Sequence, residues 1–156
     1  MPAITLDAIE AKQTELSKLI AQFKDQATGP VVHTFAQVEI VLDPGEHYVG
    51  PVLDADGNLM HHLVLMAQRP TSKLAWQAAT DWADSIGGTL PTRQEQALLF
   101  ANCKPHLKPG WHWSSETHKD DASYAWHCNF DGGIQYGHLK SYEGSADAVR
   151  RIHVTA

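Results

Sequence analysis

With 156 residues, 43% of them hydrophobic, the chain is long enough to bury one core, and one compact domain is the default count. A formal net charge of -6 and a pI near 5.9, without any run of Lys and Arg, exclude a general nucleic-acid binder, which needs clustered cations to displace counterions. No apolar stretch approaches the roughly 18 residues read as a spanning helix, and no charged-then-apolar leader opens the sequence, so the expectation is a soluble product made in the cytosol.

Leu6, Ile9, Gln13, Leu16, Ile20 and Phe23 fall at alternating intervals of three and four, the a/d seam of a heptad, with Asp7, Glu10, Lys18 and Lys24 off it. The spacing predicts a helix from Thr5 to Asp25. So short a helix is marginal alone in water, and its seam must pack on something. Two solutions stay open: an amphipathic helix folded back on its own domain, or a short bundle between protomers. A polar Gln13 at an a position favours the bundle, because one polar seam residue commonly fixes register and oligomer state. A homo-oligomer is expected, a trimer first.

Thr28-Gly29-Pro30 ends this helix, and Val31 to Leu42, β-branched and apolar, reads as a linker and strand before the Asp43-Pro44-Gly45 turn. His47 to Leu53 and Leu59 to Met66 flank Asp54-Ala55-Asp56-Gly57-Asn58, whose Asp-Gly supplies the dihedrals of a tight hairpin. Asp54, Asp56 and Asn58 are spaced like the start of a calcium loop. Met60 and His61 then follow where oxygen ligands should come, and no Glu closes it.

Ser72 caps a predicted helix that runs to Ile86, with Leu74, Ala78, Trp82 and Ile86 at every fourth residue and Gly87-Gly88 as the stop. Thr92-Arg93-Gln94-Glu95 is a capping box. It opens a second helix to Asn102, whose Gln96, Leu99 and Phe100, with Ala97 and Ala101, make a surface suited to lying on a sheet. Pro105 and Pro109 end it. From Trp111 onward strands and loops follow, so the fold class is α+β, two helices on a small, mostly antiparallel twisted sheet. The predicted organisation is a helix over 1–27, a linker and strand over 28–44, and a compact domain over 45–156.

Along Tyr124 to Asp131, alternation sends Trp126, Cys128 and Phe130 to one face, read as core, and Ala125, His127, Asn129 and Asp131 to the other. Beyond the Gly132-Gly133 turn, Tyr136, His138 and Tyr142 lie near the outward face. Tyr, His and Asn are adaptable contact residues that stack or hydrogen-bond at small entropic cost. His127, Asn129, Tyr136, His138 and Tyr142 are therefore the candidate ligand-binding residues, against the plainer reading of a solvated sheet face.

The remaining polar residues point to structure. Ten histidines carry no metal-cluster spacing: His61 and His62 are adjacent and point to opposite faces, while His112, His118, His127, His138 and His153 are scattered. No metal or other cofactor is expected. Cys103 and Cys128 are too few for a disulfide framework and read as free thiols, Cys128 as a buried one. Of Arg150 and Arg151, one must face inward or to the sheet edge, with Glu95, Glu116 or Asp147 as its partner.

Five segments follow one another in order: Trp113-Ser114-Ser115, then Ala125-Trp126 with Phe130, the Gly132-Gly133 hairpin, Lys140-Ser141, and Val149-Arg150. With Leu90-Pro91-Thr92-Arg93 upstream, this resembles the Lcl C-terminal-domain-like family, a branch of the C-type-lectin-like fold in bacterial and phage proteins. The resemblance covers roughly residues 45 to 154. One departure is His153, where a second basic residue is expected near the end of the closing strand.

The resemblance implies a C-type-lectin-like domain behind the N-terminal helix. It assigns Ser114 and Ser115 to a structural turn, and it puts the five candidate contact residues where relatives diversified by retroelements carry ligand-contacting side chains. The implied role is non-enzymatic recognition of a protein or glycan receptor on a phage virion, at the tail tip or fibre. A runner-up is a phage-encoded intracellular protein binder that inhibits a host defence complex in the cytoplasm. A third class, copper or redox enzymes of the formylglycine-generating type, shares the fold but no motif around Cys103 or Cys128. The calcium-dependent sugar motifs of true lectins are absent from the sequence.

Overall fold

The computed structural model describes residues 4–26, 29–30 and 32–154, and the chain divides into two compact units, Met1–Thr34 and Phe35–Ala156. The first unit holds one helix, α1 (Leu6–Gln26). Thr5 starts it by accepting the Ala8 amide on its hydroxyl, and Asp7 in the first turn and Lys24 in the last complement the helix dipole. No residue of α1 is buried. The anticipated stop at Thr28 lies outside the described residues, as does Val31.

The second unit is α+β. Its elements are β1 (His47–Leu53), β2 (Leu59–Leu65), α2 (Trp76–Ser85), α3 (Arg93–Cys103), a 3-10 turn at Lys104–His106, β3 (Trp111–Thr117), β4 (Tyr124–Asn129), β5 (Ile134–Leu139) and β6 (Val149–Ile152). The strands make two three-stranded antiparallel sheets, β1-β2-β6 and β3-β4-β5, where the sequence suggested one. The β1–β2 hairpin forms as expected, with Gly57 at φ +82° in its turn. Asp54 Oδ1 accepts the amides of Asp56 and Asn58 at 2.9 Å each, so the carboxylate that resembled a calcium ligand holds the turn instead.

Residues 32–42 form no strand, which corrects the reading of that segment. A strand needs a neighbour for its carbonyls, and here the Arg150 guanidinium takes the Val41 carbonyl at 2.8 Å. The first helix of the second unit also starts later than expected. Leu74 is bonded in both directions to Gly144, at 2.8 and 2.9 Å, which draws residues before Ala75 into a bridge and leaves Ser72 without a capping role. Its end is as anticipated: Gly87 at φ +78° lets the Gly88 amide reach the Ala83 carbonyl and the Gly87 amide reach that of Asp84, a Schellman closure. The Thr92–Glu95 capping box is complete in α3, although Ala97 and Ala101 face solvent and the buried stripe is Glu95, Gln96, Leu99 and Cys103.

Two apolar clusters hold the unit together. One joins Val52, Leu63, Leu65, Leu99, Cys128, Phe130 and Val149, and the other joins Ala79, Ala83, Leu90, Trp113, Ala125, Ala146 and Ala148. Because β4 gives Cys128 to the first and Ala125 to the second, the β3-β4-β5 sheet is packed on both faces. Both arginines of β6 are paired. Arg151 meets the fully buried Glu95 at 2.6 Å, one of the anticipated partners, and Arg150 meets Glu46 at 2.6 Å. These bonds hold both carboxyls below the usual carboxylate range against the opposing effect of burial.

Candidate functional site

Antiparallel register decides which side chains share a face. Trp111 lies opposite Asn129, Trp113 opposite His127, His127 opposite Tyr136, Asn129 opposite Ile134, and Ala125 opposite His138. Directly opposed residues project to the same side. One face of the sheet therefore carries Trp111, His127, Asn129, Tyr136 and His138 together. The ring of His127 lies 4.1 Å from that of Trp111 and 5.4 Å from that of His138, which in turn is 4.3 Å from Tyr142. The structure thus brings His127, His138 and Tyr142 into one aromatic cluster, with Asn129 and Tyr136 on the same face.

Exposure within this set differs from the expectation. His127, read as outward, is only 3% exposed, because Trp111, Trp113, His138 and Tyr142 surround its ring. Tyr136 is 65% exposed, while Asn129, His138 and Tyr142 are half-buried. Asn129 also turns its side-chain carbonyl back to the Asp131 amide at 2.8 Å, which shapes the β4–β5 turn. The accessible part of the face is Tyr136 and Ile134 with the rims of Asn129, His138 and Tyr142, and His127 is the floor beneath His138 and Tyr142.

Trp126, read as core, is half-buried on the opposite face. The Arg93 guanidinium lies 3.6 Å above its ring, and His118 stacks on it at 5.0 Å. Arg93 is held in place by Gln135, which accepts from Arg93 Nε at 2.9 Å and donates to the Arg93 carbonyl at 2.6 Å. A groove of about 540 Å³ runs here, bordered by Trp126, His118, Tyr124 and Tyr136. Sequence reasoning missed it. The available signal was Gly137, which lies opposite Trp126 and has no side chain to cover the indole.

The seam residues Leu6, Ile9, Leu16, Ile20 and Phe23 are all exposed, and so is Gln13. Cys103 and Cys128 are free and buried, and burial raises both thiols, that of Cys128 to about 11, so they stay protonated at neutral pH. Ser114 accepts the Glu116 amide at 3.1 Å, a local structural bond. Among the described residues, no three His, Cys, Asp or Glu side chains converge as a metal site. No family model matches the chain, and no curated protein matches it.

The buried histidines make stability depend on pH. Burial holds His127 and His61 below the ordinary histidine value, with His138 adding repulsion at His127 and Glu95 opposing the shift at His61. As pH falls through about 6.5, the unfolded chain takes up these protons before the folded one, so stability present above that pH is lost below it. A second loss begins below about 4.5, as the depressed Glu46 and Glu95 are protonated first in the unfolded chain. Melting temperatures measured from pH 8 to 5 should therefore decline on the acid side, and His127→Phe should have a shallower decline than the parent. An equal slope in both proteins would remove His127 from this account.

Proposed function

We propose that the second unit is a C-type-lectin-like recognition domain, non-enzymatic, that binds a protein or glycan receptor through the Tyr136 face of β4 and β5. The observation that carries this reading is the aromatic cluster built on β3, β4 and β5. Its buried floor of His127 and Trp113 fixes the ring of Tyr142, and through it the half-buried His138, beside a freely exposed Tyr136. A contact surface whose aromatic residues are already held in place loses little side-chain entropy on binding. The fold-level part draws support from the placement of the recurring segments. Trp113-Ser114-Ser115 lies in β3, Ala125-Trp126 in β4, Lys140-Ser141 directly after β5, and Val149-Arg150 in β6.

In this reading the protein belongs to a phage virion, as an adhesin at the tail tip or fibre, with α1 gathering several copies. The free, buried cysteines favour a second setting, since a core that needs no disulfide also suits a protein working inside the host cytoplasm against a defence complex. Immunodetection in purified virions, set against affinity capture of a host cytosolic protein, separates the two. Within either setting, Tyr136→Ala and His138→Ala should each change stability by no more than about 0.5–1 kcal/mol, as partly exposed positions do. Both should reduce partner binding at least several-fold. Binding untouched by both substitutions would move the site off this face.

A further inference from the structure

We propose that the cleft under the β2–α2 connection binds a phosphate monoester, at a site separate from the Tyr136 face. The cleft encloses about 420 Å³ and is lined by Arg69, Lys73 and Lys108 above a floor of His112 and Asp147. In a chain of net charge -6, three cations meeting at one concavity run against the overall balance. The one carboxylate there is already engaged. Asp147 is 1% exposed, with Arg69 Nε 2.9 Å from one oxygen and His112 Nδ1 2.5 Å from the other. Its charge is neutralised within the floor and does not offset the two lysines.

Lys73 and Lys108 are exposed, and among the described residues neither ammonium group has an ion-pair or hydrogen-bond partner. The backbone that carries Lys108 is fixed to the floor, because its carbonyl lies 2.9 Å from His112 Nε2. Ser72 and Ser145 border the same space. The cleft therefore offers two unpaired positive charges around one volume.

The free charge selects the anion. Arg69 is mostly committed: Nη1 donates to the Met66 and Gln68 carbonyls, and Nε faces Asp147. What is left are its Nη2 group and the two lysine point charges. Two unpaired ammonium groups match the nearly two negative charges of a phosphate monoester, where a carboxylate supplies only one, and lysine binds phosphate as a point charge. The cleft lies within the range of about 300–1,000 Å³ typical of small-molecule sites, more than a bare phosphate fills, so an organic ester fits better than the free ion.

Titrating the isotope-labelled full chain by NMR at constant ionic strength tests this, with glycerol phosphate, inorganic phosphate, glycerol and chloride as probes. Both phosphates should give saturable shifts centred on Arg69 to Lys73, Lys108 and Ser145 to Asp147, with the ester bound at least as tightly as the free ion. The Lys73→Gln/Lys108→Gln double variant should keep its melting temperature and weaken the ester by about tenfold or more, as expected for loss of charge-assisted contacts. The proposal fails if there is no saturable shift, if the shifts survive in the double variant, if glycerol alone matches the ester, or if the free ion binds much more tightly than the ester. Tyr136→Ala should leave these shifts unchanged, which keeps the outcome independent of the recognition face.

Discussion

Replacing Trp113 with alanine is expected to cost about 3–5 kcal/mol, the range for truncating a fully buried aromatic residue. The indole has no exposed surface, donates from Nε1 to the Leu74 carbonyl at 2.9 Å, and packs against Tyr142 and His127. Its loss opens a cavity, takes one of two donors from the Leu74 carbonyl, which keeps the Gly144 amide at 2.9 Å, and removes the floor of the aromatic face in one step. For a domain whose whole stability is about 5–15 kcal/mol, that is enough to leave much of it unfolded at physiological temperature. Trp126→Ala should behave differently. It gives up a half-exposed ring and the Arg93 stacking contact, a loss of about 1–2 kcal/mol. Chemical denaturation of the two variants beside the parent checks the ranking, and an equal cost for both would mean that Trp126 is covered as fully as Trp113.

That ranking reverses what alternation along β4 suggests, and the reason shows where the sequence is legible. Period-two alternation correctly separates Trp126, Cys128 and Phe130 from Ala125 and His127, because the backbone pleat dictates it. Which side is covered depends on what packs there. Here one apolar cluster sits on each face, so exposure is set by what covers each position: Trp126, opposite Gly137, stays half-exposed while Cys128 on the same face is buried. Local signals fared better. The β1–β2 turn, the Thr92–Glu95 box and the Gly87-Gly88 stop each depend on atoms within a few residues, and each forms as read. The extended segment over 32–42 and the late start of α2 turned on distant partners, Arg150 and Gly144, which no local pattern names. The same holds for the candidate face. His138 and Tyr142 could be placed near one another from the hairpin alone, whereas the burial of His127 depends on Trp111 and Trp113 arriving from β3.

Arginine at both Ile9 and Leu16 is expected to convert an oligomer to a monomer. Leu6, Ile9, Leu16, Ile20 and Phe23 form an apolar stripe along α1 that is exposed throughout, Leu6 by 68% and Phe23 by 72%. A helix of 21 residues with no buried side chain gains little from its own hydrogen bonds, since nucleation is costly and most helical stability comes from packing an amphipathic face. Copies of the stripe packed together would supply the missing burial, and Gln13 in the seam would restrict the register they adopt. Two guanidinium groups placed there would lie unpaired among apolar neighbours, which costs several kcal/mol for charges that cannot reach water. Light scattering coupled to size exclusion should find the parent as an oligomer, a trimer first, and the double variant as a monomer. The variant's second unit should melt as the parent's does, because its core contains no residue of α1. A monomeric parent at tens of micromolar would leave the stripe without a copy to cover it. It would also remove the gain from multivalency that the proposed adhesin would draw from several weak Tyr136 faces on one assembly.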